Sequence, residues 1–191
     1  MDIKRPEADK LIEQLQISHR ISVGFYARFL PLLNKIATEL NCDFKYWEPL
    51  ESERPCNKNV NPSNRSAWDF VPLYASRYVY WRINNDLVAC ADDLGITFDL
   101  YIDDAIVDVE DPNPVDLPIG RAVFDAYLFR PTENATGSFK ELWEEEDNLE
   151  IGGHEMQLVG KNMRGIAFEW DLAEVLSNPK SIINTLKVYT N

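Results

Sequence analysis

Apolar residues recur at helical spacing along the first forty residues of the chain. From residue 7 to residue 40 they fall every three or four positions, which is the pattern of an amphipathic α-helix. Gly24 weakens this segment, and Pro31 removes an internal hydrogen bond. We therefore expect two helices, or one kinked helix, within residues 1–40.

The middle of the chain alternates between apolar and polar residues, as a β-strand does. In residues 96–103 one face carries isoleucine, phenylalanine and leucine, and the other carries threonine, tyrosine and aspartate. This alternation predicts an antiparallel sheet with one face on the core and the other in water. Aromatic and β-branched residues indicate further strands at 43–47, 74–83, 121–129 and 165–170.

Helix signals return towards the end of the sequence. Ser138 and Glu141 fit a capping box that opens a short acidic helix, and Asn178-Pro179 predicts the start of a last helix. Segments rich in turn-forming residues predict long loops at 50–66 and 103–119. The order of elements favours an α+β fold, in which an antiparallel sheet of about four to six strands is packed by the N-terminal and C-terminal helices.

The composition is that of a globular domain. Apolar residues make up 45% of the 191 residues, which is enough to bury a core, so we expect residues 1–191 to form a single domain. The chain has no apolar run of about 18 to 20 residues, the length of a membrane span, and it begins with no signal-peptide pattern. Cys42, Cys56 and Cys90 form no Cys-x-x-Cys pair, which argues against a disulfide framework or a structural zinc site. We expect a soluble, cytoplasmic protein with no membrane partner.

The negative charge of the chain is concentrated in one half. The sequence carries 32 acidic and 19 basic residues, a formal net charge of -13. Residues 86–155 alone hold 19 acidic and 3 basic residues, whereas residues 1–82 hold 10 acidic and 12 basic residues. Such asymmetry favours electrostatic attraction to a basic partner. It argues against direct nucleic-acid binding, which needs clustered lysine and arginine.

The leading functional hypothesis is a non-enzymatic, acidic protein-binding domain that presents residues 86–155 to a basic protein surface. Inhibitor, immunity and nucleic-acid-mimic roles all fit this hypothesis, and none of them requires a cofactor. Trp143 is either an aromatic anchor for the partner or the inward anchor of its own helix, together with Phe139 and Leu142. The acidic run at 144–147 also fits the solvated face of a helix. The predicted binding surface consists of Asp103, Asp104, Asp108, Glu110, Asp111, Trp143, Glu144, Glu145, Glu146 and Asp147.

Carboxylates on the predicted strands support a first alternative, a metal-dependent hydrolase or nuclease. Asp99 and Asp103 share a strand face but lie about 13 Å apart, at about 3.3 Å per residue, so one metal ion would need a further ligand from another strand. Asp125 and Glu169 supply it if their strands are neighbours in the right register, which would create an Mg²⁺ or Mn²⁺ site. A solvated sheet face explains the same residues without any chemistry. His154 is a further catalytic candidate, because the Gly-Gly turn before it exposes its side chain, although a role as a turn residue explains it without chemistry.

A second alternative is a structural or assembly protein that associates with itself through the N-terminal helix. In that case the acidity only keeps the protein soluble. His19 lies near the apolar stripe of this helix and is interpreted as a core or boundary residue. The chain has no phosphate-binding loop, dinucleotide-binding glycine motif or nucleophile elbow, so its motifs assign no enzyme class.

Overall fold

Six strands pair into one antiparallel sheet. In chain order they are β1 (Asp43–Pro49), β2 (Ala75–Arg82), β3 (Leu94–Tyr101), β4 (Val123–Pro131), β5 (Gln157–Val159) and β6 (Met163–Asp171). Across the sheet the order is β1-β2-β3-β4-β6-β5. The α-helices are α1 (Arg5–Glu39), α2 (Phe139–Glu144), α3 (Leu172–Ser177) and α4 (Pro179–Lys187). The prediction of an α+β fold with an antiparallel sheet and terminal helices is confirmed.

The structure, a computed structural model, describes residues 4–50, 75–106, 117–133, 135–144, 149, 151–160 and 162–190. Of the predicted loop at 50–66 it describes residue 50 alone. Of the predicted loop at 103–119 it describes both ends, with a short 3-10 helix at Asp104–Ile106. Cys56 lies outside the described residues, whereas Cys42 and Cys90 are free thiols.

Helix α1 is one helix that continues through Pro31. Its second half packs on the sheet through Phe29, Leu33 and Ile36, which are buried, and this packing offsets the hydrogen bond that proline removes. In its first half, residues 5–24, no side chain is buried. None of the described helices, α1 included, combines the length and the apolar content that a membrane span needs.

Helices pack on both faces of the sheet. Helices α1, α3 and α4 cover the face that carries Phe98 and Phe124, and the larger hydrophobic core lies there. Helix α2 covers one part of the opposite face, where Phe139 and Trp143 contact the ring of Trp81. The part of this second face that α2 leaves open carries the candidate functional site.

The short helix α2 begins at the predicted capping box. The Ser138 amide donates to the Glu141 carboxylate at 2.8 Å, and the Glu141 amide donates to the Ser138 hydroxyl at 3.3 Å. These bonds satisfy backbone donors that the start of a helix leaves free. A helix of only six residues is thereby held on the sheet.

The sheet face predicted to lie in water is largely buried. Thr97 and Asp99 of β3 are 4% and 1% exposed. At one end of β3, Gly95 allows α2 to approach closely, because a side chain at this position would clash with the ring of Trp143. The simple prediction of one core face and one solvated face is therefore wrong for this strand.

Candidate functional site

Charged residues stand opposite one another across five strands on the face that α2 only partly covers. Glu48 of β1 pairs with Arg77 of β2, and Arg77 pairs with Asp99 of β3. Asp99 is opposite Asp125 of β4, which in turn is opposite Glu169 of β6. Directly opposite side chains have Cβ atoms about 4.5 to 5.5 Å apart, and like charges there are destabilising. We call Asp99, Asp125 and Glu169 the acidic row.

Asp99 is neutralised by a bidentate ion pair. Its Oδ1 atom accepts from Nε of Arg77 at 2.9 Å, and its Oδ2 atom accepts from Nη2 at 2.7 Å. The hydrogen bonds to Asp99 raise the pKa of the Arg77 guanidinium above its usual value, despite the opposing effect of burial. Both oxygens of Asp99 thus accept hydrogen bonds from Arg77, and the charge at this end of the acidic row is compensated.

Asp125 has no such partner. It is 5% exposed, and its Oδ1 atom accepts no hydrogen bond within the part of the chain that the structure describes. The Tyr127 hydroxyl donates to Oδ2 at a long distance of 3.5 Å. Burial, followed by repulsion from Glu169 and Asp99, raises the pKa of Asp125 to about 7, although Tyr127 and Arg121 act in the opposite direction. Asp125 therefore exchanges its proton near neutral pH.

Asp125 and Glu169 line an open cavity of about 330 Å³. The other lining residues are Tyr101, Asp104, Arg121, Val123 and Ile151. Nη1 of Arg121 donates to Glu169 at 3.0 Å and its Nε donates to Asp104 at 3.2 Å. Arg121 is 59% exposed, so it lies at the solvent side of the cavity. Three carboxyl groups in this lining face one guanidinium group.

Asp103 is not part of the acidic row. Strand β3 ends at Tyr101, and the Asp103 Oδ1 atom accepts the backbone N–H groups of Ala105 at 3.2 Å and Gly120 at 2.9 Å. The prediction that Asp103 shares a strand face with Asp99 is wrong, because these bonds turn the chain out of the sheet. Asp104 anchors the same loop, since its Oδ1 atom accepts the amide of Arg121 at 2.6 Å.

The remaining predicted residues lie outside this cavity or outside the described residues. His154 is exposed in a turn, where its carbonyl oxygen accepts from the Tyr189 hydroxyl at 3.1 Å. Of the two positions predicted for Trp143, the inward one is observed, because its side chain is 8% exposed. Its Nε1 donates to the Tyr46 hydroxyl at 3.3 Å. Glu144 is exposed and lies 3.7 Å from the Lys140 ammonium. The residues not described are Asp108, Glu110, Asp111, Glu145, Glu146 and Asp147.

The described residues include no candidate metal centre. Among the described ranges, no three histidine, cysteine, aspartate or glutamate side chains are grouped so that they could hold a metal ion. The physical reason lies partly in Arg77, which occupies both oxygens of Asp99. Arg77 and Tyr127 were not predicted to contact the carboxylates. Arg77 meets Asp99 through the register of β2 on β3, which residue alternation does not reveal.

A family model described as PM0109 matches residues 5–190. The matched range includes every strand and helix of the fold, and the residues of the acidic row. No curated protein and no solved structure matches the chain.

Proposed function

We propose that this chain, which belongs to the PM0109 family, is a non-enzymatic binding protein that docks a basic partner on its acidic half. In this proposal a lysine ammonium group of the partner enters the cavity beside Asp125. Two observations support the proposal: Asp125 lines the cavity, and its buried Oδ1 atom accepts no hydrogen bond from any described residue. The inhibitor, immunity and mimic roles, and a cytoplasmic location, belong to the same proposal.

The electrostatics of the cavity favour a cation. A buried carboxylate without a partner is strongly disfavoured in its ionised form. Asp125 avoids the ionised form because it keeps its proton up to about pH 7. An ammonium group would replace that proton and give Oδ1 a donor. The second carboxylate oxygen of Glu169 offers an acceptor for another of its N–H groups. Lysine suits this position because its charge is compact, whereas Arg121 already supplies a guanidinium group on the solvent side.

The metal-dependent alternative has less support. Arg77 pairs with both oxygens of Asp99, and Asp103 accepts hydrogen bonds from backbone amides. Asp125 and Glu169 would remain as ligands, and Mg²⁺ demands a nearly octahedral set of oxygens. His154 is not among the residues that line the cavity. We therefore do not propose a hydrolase or nuclease.

Calorimetric titration with a short oligolysine peptide tests the proposal. The peptide should bind the protein at low salt and more weakly at high salt, whereas an oligoglutamine peptide of equal length should not bind. Asp125→Asn should weaken binding about tenfold or more, which corresponds to about 1.4 kcal/mol. Glu174→Gln is the matched control, because it removes one exposed carboxylate from α3 on the other side of the sheet. Equal effects of the two variants, or no binding at low salt, would contradict the proposal.

The pH dependence of binding provides a second readout. Asp125 must lose its proton to pair with a cation, so affinity should rise with pH between about 6 and about 8. The groups that face Asp125 are Asp99 of β3, Glu169 of β6, Tyr127 of its own strand, and Arg121 from the loop. Titrations at pH 7 in two buffers of different ionisation enthalpy should show proton release on binding. Asp125→Asn should abolish that release, and its persistence in the variant would assign the proton to another group.

A further inference from the structure

The first half of α1 is an exposed apolar helix. In residues 5–24 no side chain is buried, although six large aliphatic side chains lie there. Their exposures are 58% for Leu11, 54% for Ile12, 55% for Leu15, 48% for Ile17, 66% for Ile21 and 70% for Val23. β-branched residues and Gly24 weaken this part of the helix. A surface that covers it would therefore stabilise it.

One face of α1 carries a continuous stripe. Ile12 and Leu30 are eighteen residues apart, which is five full turns, so they lie on one line of the helix about 27 Å apart. The residues between them on this face are Leu15, His19, Val23 and Tyr26. Of the two positions predicted for His19, core or boundary, the core position is wrong, because His19 is exposed on this stripe. Ile17 falls on the opposite side of the helix, which makes it a useful reference position.

The stripe ends in an apolar groove of about 570 Å³. Helix α1 contributes Tyr26, Leu30 and Asn34 to its walls, and strands β1 and β2 contribute Phe44, Trp47, Tyr78 and Tyr80. Phe44 and Trp47 are 53% and 52% exposed, which is unusual for aromatic side chains beside a hydrophobic core. The Tyr80 hydroxyl donates to Asn34 Oδ1 at 2.7 Å. This bond pairs two of the polar atoms in the walls, which are otherwise mainly aromatic and aliphatic.

We propose that the stripe and the groove form an interface between two copies of this chain. The two α1 helices run antiparallel, and Ile12 and Leu15 of each copy enter the groove beside Leu30 of the other. A two-fold axis midway along the stripe exchanges the positions of Ile12 and Leu30, because both lie on the same line of the helix. Both copies thereby cover the exposed half of α1 and the exposed rings of β1 at once.

The charge distribution favours a second copy of this chain, rather than a basic partner, at the stripe and the groove. Residues 5–24 carry three basic and three acidic residues, and the seven residues that line the groove are uncharged. Two copies with a net charge of -13 each repel wherever their acidic halves face each other. They meet without this repulsion at the neutral stripe. A basic partner would instead be attracted to residues 86–155.

The size of the surface also fits a dimer. Half the lateral area of a helix about 30 Å long and about 10 Å wide is about 500 Å². The groove adds to this area, and the sum approaches the figure of about 800 Å² per partner that is usual for a stable interface. This inference does not depend on cation binding at Asp125, which lies on the opposite face of the sheet from α1.

Solution mass measurement on the full chain tests the inference. Light scattering and sedimentation at about 100 µM should give the mass of two chains. Ile12→Asp should give the mass of one chain. Ile17→Asp should leave the dimer intact, because it makes the same change at a similarly exposed position on the other side of the helix. Circular dichroism should show both variants folded, since neither side chain is buried in the single chain. A one-chain mass for the unmodified protein, or equal behaviour of the two variants, would overturn the inference.

Crosslinking tests the antiparallel arrangement separately. A benzophenone amino acid in place of Ile12 should form a covalent bond to the peptide that contains Leu30. Within one chain these positions are about 27 Å apart along the same rigid helix, so this product is necessarily intermolecular. Crosslinks that fall instead within residues 86–155, or only between two copies of position 12, would refute the arrangement.

Discussion

Asp125→Asn should stabilise the protein above neutral pH and leave its stability unchanged in acid. The folded state raises the pKa of Asp125 from its usual value of 3.8 to about 7, so between these values the folded chain holds a proton that the unfolded chain releases. By linkage, the stability of the native protein falls as pH rises from about 4 to about 7, and stays lower above that range. Asparagine has the shape of the protonated acid but cannot ionise, so the stability of the variant does not fall in this way as pH rises.

The structure sets the size of the effect. A difference of about three pH units corresponds to about 4 kcal/mol, at 1.36 kcal/mol per unit. Asp125 is nearly buried but borders an open cavity, so water screens part of this penalty and about 2 kcal/mol is expected. Urea unfolding followed by circular dichroism at a series of pH values measures it. The free energy of unfolding of the variant minus that of the native protein should be near zero at about pH 4 and about 2 kcal/mol at about pH 8.

Asp99→Asn on the neighbouring strand is the matched comparison. It removes one carboxylate charge from the same row, but it leaves the Arg77 guanidinium without its bidentate partner. We expect it to destabilise the fold by about 3 kcal/mol at about pH 8. If Asp125→Asn is equally destabilising, or if its effect does not change with pH, Asp125 is not an uncompensated buried carboxylate. That result would refute the reasoning and remove the basis of the cation site.

Three further predictions concern the core. Trp143→Ala should destabilise the protein by about 3 to 5 kcal/mol. Trp47→Ala removes an exposed ring of β1 and should change the stability of the single chain by about 0.5 kcal/mol or less. Urea unfolding of dilute protein measures both changes. Gly95→Ala should cost about 1 to 3 kcal/mol, because the added methyl group meets the ring of Trp143, and thermal unfolding should show the loss. Burial raises the pKa of the Cys42 thiol to about 12, so iodoacetamide at about pH 8 should label this residue only after unfolding, as peptide mass spectrometry would show.

Residue alternation along the strands was sufficient to predict part of the acidic row. It assigns Asp99, Asp125 and Glu169 each to one face of a strand, and the structure brings them side by side. Alternation cannot reveal which strands are neighbours or in which register, because register is set by contacts far apart in sequence. It also extended β3 to Asp103, since the end of this strand depends on a hydrogen bond from Gly120 across the loop.

Periodicity had a similar limit for α1. The helical spacing of apolar residues predicts helical structure from residue 7 to residue 40, but the spacing is equally clear in the buried half and in the exposed half. Ile12 and Ile36 therefore look alike in the sequence, although one is 54% exposed and the other is fully buried. The length of the sheet, seven to nine residues in five of its six strands, decides how much of a 35-residue helix has a surface to pack on.

The strand register also explains why Asp99 is neutralised within the acidic row and Asp125 is not. Asp99 stands between Arg77, which neutralises it, and Asp125. On its other side Asp125 meets Glu169, a second acid, although a basic residue there would stabilise the pair across the strands. The pairing of Asp125 with Glu169 therefore lowers the stability of the fold where the cavity opens to solvent. The ion pair with Arg77 prevents such a loss at Asp99. Under the proposed function, a partner that supplied a cation to the cavity would bind the folded chain preferentially, and by mass action it would restore the stability that the free protein lacks.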